Sequence, residues 1–243
     1  MSKTKTGRMK IKTSRDSPIG INKIVSEHGF EGWVAITLAP GKKTMGSNNY
    51  WDRDLATDLD RLKELGTTVL VCFLEDEELV SLRIPDLVEQ ATARGIEVKR
   101  FPFHDGGVPP DMTRTLRLVE EICLLYRDGQ RIVMHCNGGL GRAGTIGACV
   151  RLALGLDETP NDAIYAVRMA RSRRAIETRA QEAFVARFHQ EWKSEPRSIY
   201  NQETEEQKQA REDRRRGGWY GLVVGDALGA PVEFMPAEVI AER

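Results

Sequence analysis

Between residues 135 and 145 the chain reads His135-Cys136-Asn137-Gly138-Gly139-Leu140-Gly141-Arg142-Ala143-Gly144-Thr145. A cysteine and an arginine stand with five residues between them, three of which are glycine. Successive glycines let backbone N–H groups turn to one side, and a helix starting there adds its positive dipole end, so the run predicts a cup for a phosphate dianion. Arg142 supplies a planar fork matched to two phosphate oxygens. Cys136 is placed at the floor of that cup. Such surroundings lower a thiol from about 8.5 to roughly 3.5–7.5, which makes its sulfur a candidate nucleophile toward phosphorus. The departing oxygen then needs a proton, and Asp105 in FPFHDGGVPPD (101–111) is the first choice of acid. Asp111, just before a long helical pattern, suits a cap better. The backbone amides of Asn137, Gly138, Gly139, Leu140 and Gly141, with Arg142, are the expected phosphate ligands. His135 has no partner at metal-ligand spacing and is expected to orient the loop.

These groups need strands that stop where the loops begin. GWVAITL (32–38) reads as a strand halted by Ala39-Pro40-Gly41-Lys42. A helix follows, with Asp52 as its cap, Leu55, Leu59, Leu62 and Leu65 on one face, and Gly66 as its stop. TTVLVCFL (67–74) reads as a buried strand, and Pro85 to Gly95 as a helix. IEVKRFPF (96–103) is a strand, 111–129 a long helix, and RIVMH (131–135) a strand running into the glycines. TIGACVRLALG (145–155) resumes as a helix, and Thr159-Pro160 opens another. Strands alternating with helices predict an α/β fold: a mostly parallel central sheet flanked by helices on both faces, with ligands at the carboxyl ends of the strands.

The 243 residues carry 36 Lys plus Arg against 36 Asp plus Glu, so no net charge draws the chain to nucleic acid or anionic lipid. No apolar run approaches the about 18 residues of a membrane span. Nucleic acid and membrane are therefore not expected as partners, and a cytoplasmic setting is. Cys72, Cys123, Cys136 and Cys149 are uneven in spacing and read as free thiols, with Cys123 and Cys149 in the core. Residues 1–24 are expected to be a basic, flexible arm, and 25–195 the catalytic domain. Arg171, Arg173 and Arg174 form a basic cluster that either recruits an acidic phosphopeptide or is a solvated face. His104 either tunes Asp105 or merely flanks it.

HCNGGLGRAGT resembles the signature loop of cysteine-based, dual-specificity-type phosphatases. Its GGLGR core, with TLAPGKK (37–43), RIPDL (83–87), DGGVPPD (105–111) and AIETRAQEAF (175–184), is similar to the cyclin-dependent kinase inhibitor 3, or kinase-associated phosphatase, family. That resemblance implies Cys136 as nucleophile, Arg142 as phosphate clamp and Asp105 as general acid, a tyrosine-phosphatase-like fold, no cofactor or metal, and a phosphorylated protein as substrate, kinases included. It further implies that Gln181 positions the hydrolytic water, against the bland reading of a solvated helix-surface glutamine. Cys72 is implied as a redox partner of Cys136, since relatives carry a cysteine at a corresponding strand.

Two positions depart from the pattern. Relatives usually carry Ser or Thr where Ala143 stands, so breakdown of the phosphoenzyme is expected to slow unless the Thr145 hydroxyl substitutes. Glu177 replaces a neutral side chain. After about Trp192 the chain turns into a charged linker (196–216), and GGWYGLVVGDALGAPVEFMPAEVI (217–240) resembles the opening of ADP-ribosylglycohydrolases. Residues 217–243 are expected to be a fragment without glycohydrolase activity. Two alternatives stay open: a phosphatase of a small ligand such as a nucleotide or ADP-ribose phosphate, and a phosphoprotein-binding module with slow turnover.

Overall fold

A computed structural model describes residues 10–26, 31–46 and 49–194. The expected linker at 196–216, the glycohydrolase-like stretch at 217–243 and the first nine residues of the expected arm lie outside the described residues.

The strands that form the middle of the molecule are those with apolar runs at their centres. β3 (Trp33–Thr37), β6 (Val69–Cys72) and β8 (Arg131–His135) are buried on both faces, which is why none alternates with polar residues. With β2 (Asn22–Val25) and β7 (Glu97–Arg100) they make a five-stranded sheet in the order β2-β3-β8-β6-β7, antiparallel only where β2 meets β3. Alternate residues sort to opposite faces. Ala35, Leu70 and Val133 pack on one side against Leu55, Leu59 and Leu62 of α1 (Leu55–Glu64) and Leu87 and Ala91 of α3 (Leu87–Ala93). On the other side lies α5 (Gly141–Ala153), ringed by α4 (Met112–Arg127), α6 (Pro160–Ala170) and α7 (Arg179–Ser194). The helix comes so close to the sheet that a Cβ on Gly147 would stand 2.7 Å from Ile24 Cδ1 and 3.2 Å from Ile36 Cδ1.

Helix ends follow local chemistry. Asp111 caps α4 by accepting from the Arg114 amide, and Thr159 caps α6 by accepting from Asp162 with Pro160 at the first turn. Four expectations need correction. The cap of α1 is Asp54, which accepts from the Thr57 amide at 2.8 Å, and not Asp52. Asp52 instead ends a strand, because β4 (Lys43–Met45) pairs antiparallel with β5 (Asn49–Asp52). The arm over 1–24 is not loose from Lys10 onward: β1 (Lys10–Thr13) pairs parallel with β5, Ile19 is buried, and β2 joins the main sheet. Strand β7 stops at Arg100, short of the expected Phe103. Helix α5 begins at Gly141, four residues before Thr145, so Arg142 sits in its first turn. A short helix, α2 (Asp76–Ser81), also follows β6, closed by a box between Glu75 and Glu78.

Candidate active site

The Cys136 loop joins the carboxyl end of β8 to the start of α5, and each carbonyl along it has a donor. Asn137 O accepts from the Ala39 amide at 3.1 Å and from Lys42 Nζ at 3.0 Å. Gly138 O and Gly139 O both accept from Arg171, at 3.0 Å each. Leu140 O accepts from the amides of Gly144 and Ile176. With its carbonyls tied outward, the loop leaves its amides for the cup. Those of Gly141, Arg142 and Ala143 have no partner inside α5, being in the first turn of a helix. Gly139 is required where it stands: its φ is +66°, and a Cβ would lie 2.1 Å from Thr37 O. Cys136 is 2 % exposed.

Arg142 is fully buried and heavily held. Nη1 donates to Phe73 O and Phe103 O at 3.0 Å and to Glu78 Oε2 at 2.6 Å, while Nη2 donates to Glu78 Oε1 at 2.7 Å. Burial opposes its charge, but the Glu78 hydrogen bonds together with Cys136 and Asp105 outweigh that and hold the guanidinium above its usual value. Nη2 also lies 3.0 Å from Asp105 Oδ1, so the expected acid and the expected clamp meet. Asp105 has a side chain 58 % exposed, as an acid loop over a cup requires. The Arg142 Nε is buried with no hydrogen-bond partner among the described residues, one donor left for an incoming oxyanion.

The supporting residues fall out unevenly. His135 Nδ1 donates to the carbonyl of Cys136 at 3.3 Å, and burial pushes its pKa down to about 4, so a neutral ring lies against the base of the loop. Gln181 is fully buried, which removes the solvated-surface reading. Its Nε2 donates to Gly107 O at 3.0 Å and its Oε1 accepts from the Glu177 amide at 2.8 Å, tying the Asp105 loop to the start of α7. Thr145 does not offer its proton to Cys136. The hydroxyl donates to Gly141 O at 2.8 Å, within its own helix, so it is no stand-in for the hydroxyl missing at Ala143. Cys72 lies on β6 opposite His135, packed in the sheet core, a free thiol whose pKa burial pushes up to about 11. His104 faces Glu75, 3.4 Å away. Of the arginine cluster only Arg171 serves the loop; Arg173 and Arg174 are exposed.

A cleft of about 200 Å³ gathers Cys136, Asn137, Gly138, Leu140, Asp105 and Glu177 with three residues that no motif assigned a role: Lys42, just before β4, Met45 of β4 and Trp51 of β5. Glu177 follows Ile176, a non-glycine at φ 59° that bends the chain in against Gly141. Lys42 is 5 % exposed, and its ammonium lies 5.0 Å from the centre of the Trp51 ring. Glu78 also went unread, since nothing in its helical neighbourhood marks it. Only the chemical need of a buried guanidinium for a carboxylate could have pointed to it. Among the described residues no group of three or more His, Cys, Asp or Glu is placed to hold a metal ion, and no helix is long and apolar enough to cross a membrane.

Comparison with known proteins points to the same fold. The family described as Cyclin-dependent kinase inhibitor 3 (CDKN3) matches residues 18–164, and the ADP-ribosylglycohydrolase family matches residues 207–243. Cyclin-dependent kinase inhibitor 3 of Sus scrofa is 30% identical over 173 residues, covering 71% of this chain and 79% of the relative. The Homo sapiens protein of that name is 31% identical over 136 residues, 56% and 64% of the respective chains. Among solved structures, kinase associated phosphatase with serine replacing its catalytic-site cysteine superposes with a TM-score of 0.65 at 25% identity, over 74% of this chain and 99% of that one. Tk-PTP in its active form superposes with a TM-score of 0.55 at 24% identity, over 70% and 96%. The chain belongs to the cyclin-dependent kinase inhibitor 3 family and is a cysteine-based phosphatase of tyrosine-phosphatase-like fold.

Proposed function

We propose that Cys136 is the nucleophile, Arg142 the phosphate clamp and Asp105 the general acid in hydrolysis of phosphotyrosine and phosphoserine or phosphothreonine in proteins. The observation that carries this reading is that Cys136 and Asp105 line one cleft at the start of α5, with Arg142 paired to Asp105 at 3.0 Å. A phosphate entering the cup competes with Asp105 for the guanidinium. The Cys136 sulfur attacks phosphorus, the ester oxygen departs with the proton from Asp105, and a cysteinyl-phosphate remains. Water, oriented from the Gln181 amide and giving its proton back to Asp105, releases inorganic phosphate. Cyclin-dependent kinases, named in the relatives, are the substrate proteins we favour, in the cytoplasm, where four free thiols stay reduced. One observation favours a second reading: the ADP-ribosylglycohydrolase match at 207–243 makes a phosphorylated ADP-ribosyl or nucleotide compound the next substrate to test.

The test is steady-state turnover of phosphotyrosine and phosphothreonine peptides, an aryl phosphate and nucleotide phosphates. Cys136→Ser should abolish activity. Asp105→Ala should slow alkyl phosphates far more than aryl phosphates with good leaving groups, and an equal loss on both would overturn the acid assignment.

A further inference from the structure

The clamp arginine is not the free cation its position suggests. Arg142 gives its terminal nitrogens to Glu78 and Asp105, so two carboxylates already offset its charge. Arg53, the cation just after β5, is likewise spent in a buried pair with Asp58 at 2.6 Å. Lys42 is the exception. It is buried, it lines the cleft beside Cys136 and Asp105, and among the described residues it makes no ion pair. Its Nζ has only neutral oxygens, Asn137 O at 3.0 Å and Asn137 Oδ1 at 3.2 Å, and the face of Trp51. A buried ammonium without a counter-ion is costly unless an anion arrives beside it.

We propose that Lys42 is a second anion-binding cation of this site: it holds Asn137, and with it the loop, and its charge is completed by the Cys136 thiolate and by the bound phosphoryl group. The proposal rests on the reading of Cys136 as nucleophile. Two features of the fold set Lys42 in place. The amide of Gly41, its neighbour in the chain, donates to Asp58 Oδ2 at 2.8 Å, which locks the loop before it to α1. The carbonyl of Lys42 accepts from the Arg53 amide, which locks it to the end of β5. The groups that face its ammonium are Cys136 and Asp105, which favour the charge, and Arg53 and Arg171, which oppose it; Glu177 lines the same cleft. Burial outweighs the rest and brings its pKa down to about 8, so the lysine loses its charge just above neutral pH in the empty enzyme. An oxyanion in the cup should keep it protonated.

The experiment compares the full chain with Lys42→Met and Lys42→Arg. Binding of tungstate and inorganic phosphate is followed by protection of Cys136 from iodoacetate, and kcat/KM for an aryl phosphate is measured from pH 5 to 9.5. In Lys42→Met the proposal expects at least tenfold weaker tungstate binding, slower alkylation at neutral pH, and loss of the alkaline limb near pH 8. Lys42→Arg should restore most of the binding and move that limb upward. Unchanged tungstate binding in a folded Lys42→Met protein overturns the proposal. Should that variant not fold, the 15Nζ signal of Lys42 in the unaltered protein decides. Its midpoint should rise by at least one pH unit on adding tungstate, and a fixed midpoint overturns the proposal. Cys136→Ser separates the two readings: if it is inactive while Lys42→Met behaves normally, only the role of Lys42 falls, and if it stays active, the nucleophile falls first.

Discussion

Two adjacent glycines in the phosphate loop should respond in opposite ways to the same methyl group. At Gly139 the backbone is left-handed, φ +66°, and an added Cβ would stand 2.1 Å from Thr37 O, 2.6 Å from Thr37 C and 3.0 Å from Leu38 N. All three atoms belong to the main chain at the end of β3, which is hydrogen-bonded to β8 and cannot yield cheaply. Placing alanine in a left-handed conformation costs about 1–2 kcal/mol. Relieving the overlap, by pushing the loop about 1 Å off β3, adds roughly 1–3 kcal/mol. The Asn137 and Arg171 hydrogen bonds would stretch with it. Gly139→Ala should therefore lose about 2–5 kcal/mol, a fall in Tm of roughly 5–15 °C. Its kcat/KM should drop on the order of a hundredfold, because the loop amides no longer converge on the phosphate. Gly138→Ala is the control: its Cβ meets only the Leu140 side chain at 3.8 Å. That variant should stay near the parent in Tm and keep most of its activity. Thermal scans and aryl phosphate turnover on both variants are sufficient. Equal losses at the two positions, or an unharmed Gly139→Ala, would show that the close approach to Thr37 does not govern the loop.

Two further outcomes follow from charge. Glu78→Gln removes the carboxylate that grips both terminal nitrogens of Arg142, and since the Glu78 side chain is 20 % exposed the cost should sit at or below the low end of the roughly 3–5 kcal/mol for a broken buried pair. Turnover should fall tenfold or more. Burial pushes the Glu78 carboxyl up, but Arg142 and the Glu75 amide outweigh it and hold it below the usual 4.5. Its contribution is thus complete above that value and lost as pH falls through the lower folded value, so an acid melt should be flatter in the variant. His135, with a folded pKa near 4 against the ordinary 6.5, contributes stability that is complete above pH 6.5 and is lost as pH falls toward 4. By NMR its ring should stay neutral down to about pH 5, and a midpoint near 6.5 would contradict the burial argument.

The sheet was readable because its strands are apolar runs bounded by glycine and proline: RIVMH needed no adjustment, and the Thr159-Pro160 helix start stands where its hydroxyl and its ring require. Cys136, Arg142 and Asp105 were legible because two loops at the carboxyl ends of strands had to carry them. What escaped was everything fixed by distant pairing. The β4–β5 pairing has neither a two-residue turn signal nor an alternating pattern, and its register depends on β1, more than thirty residues earlier in the chain. Lys42 and Trp51 therefore reach the cleft, and Glu78 reaches Arg142, through tertiary contacts that local periodicity does not encode. Thr145 shows the reverse failure: its hydroxyl was legible as a residue type, but α5 starts early and turns that group back onto its own helix.

The parallel pairing of β1 with β5 sets Lys12 beside Trp51, and Trp51 in turn sits across from Thr44. The leading strand of the described chain is therefore a handle on one wall of the candidate cleft. Cutting, masking or tugging residues 10–13 should be felt first at the rim of the candidate cleft, through Trp51, before it reaches Cys136 or Arg142.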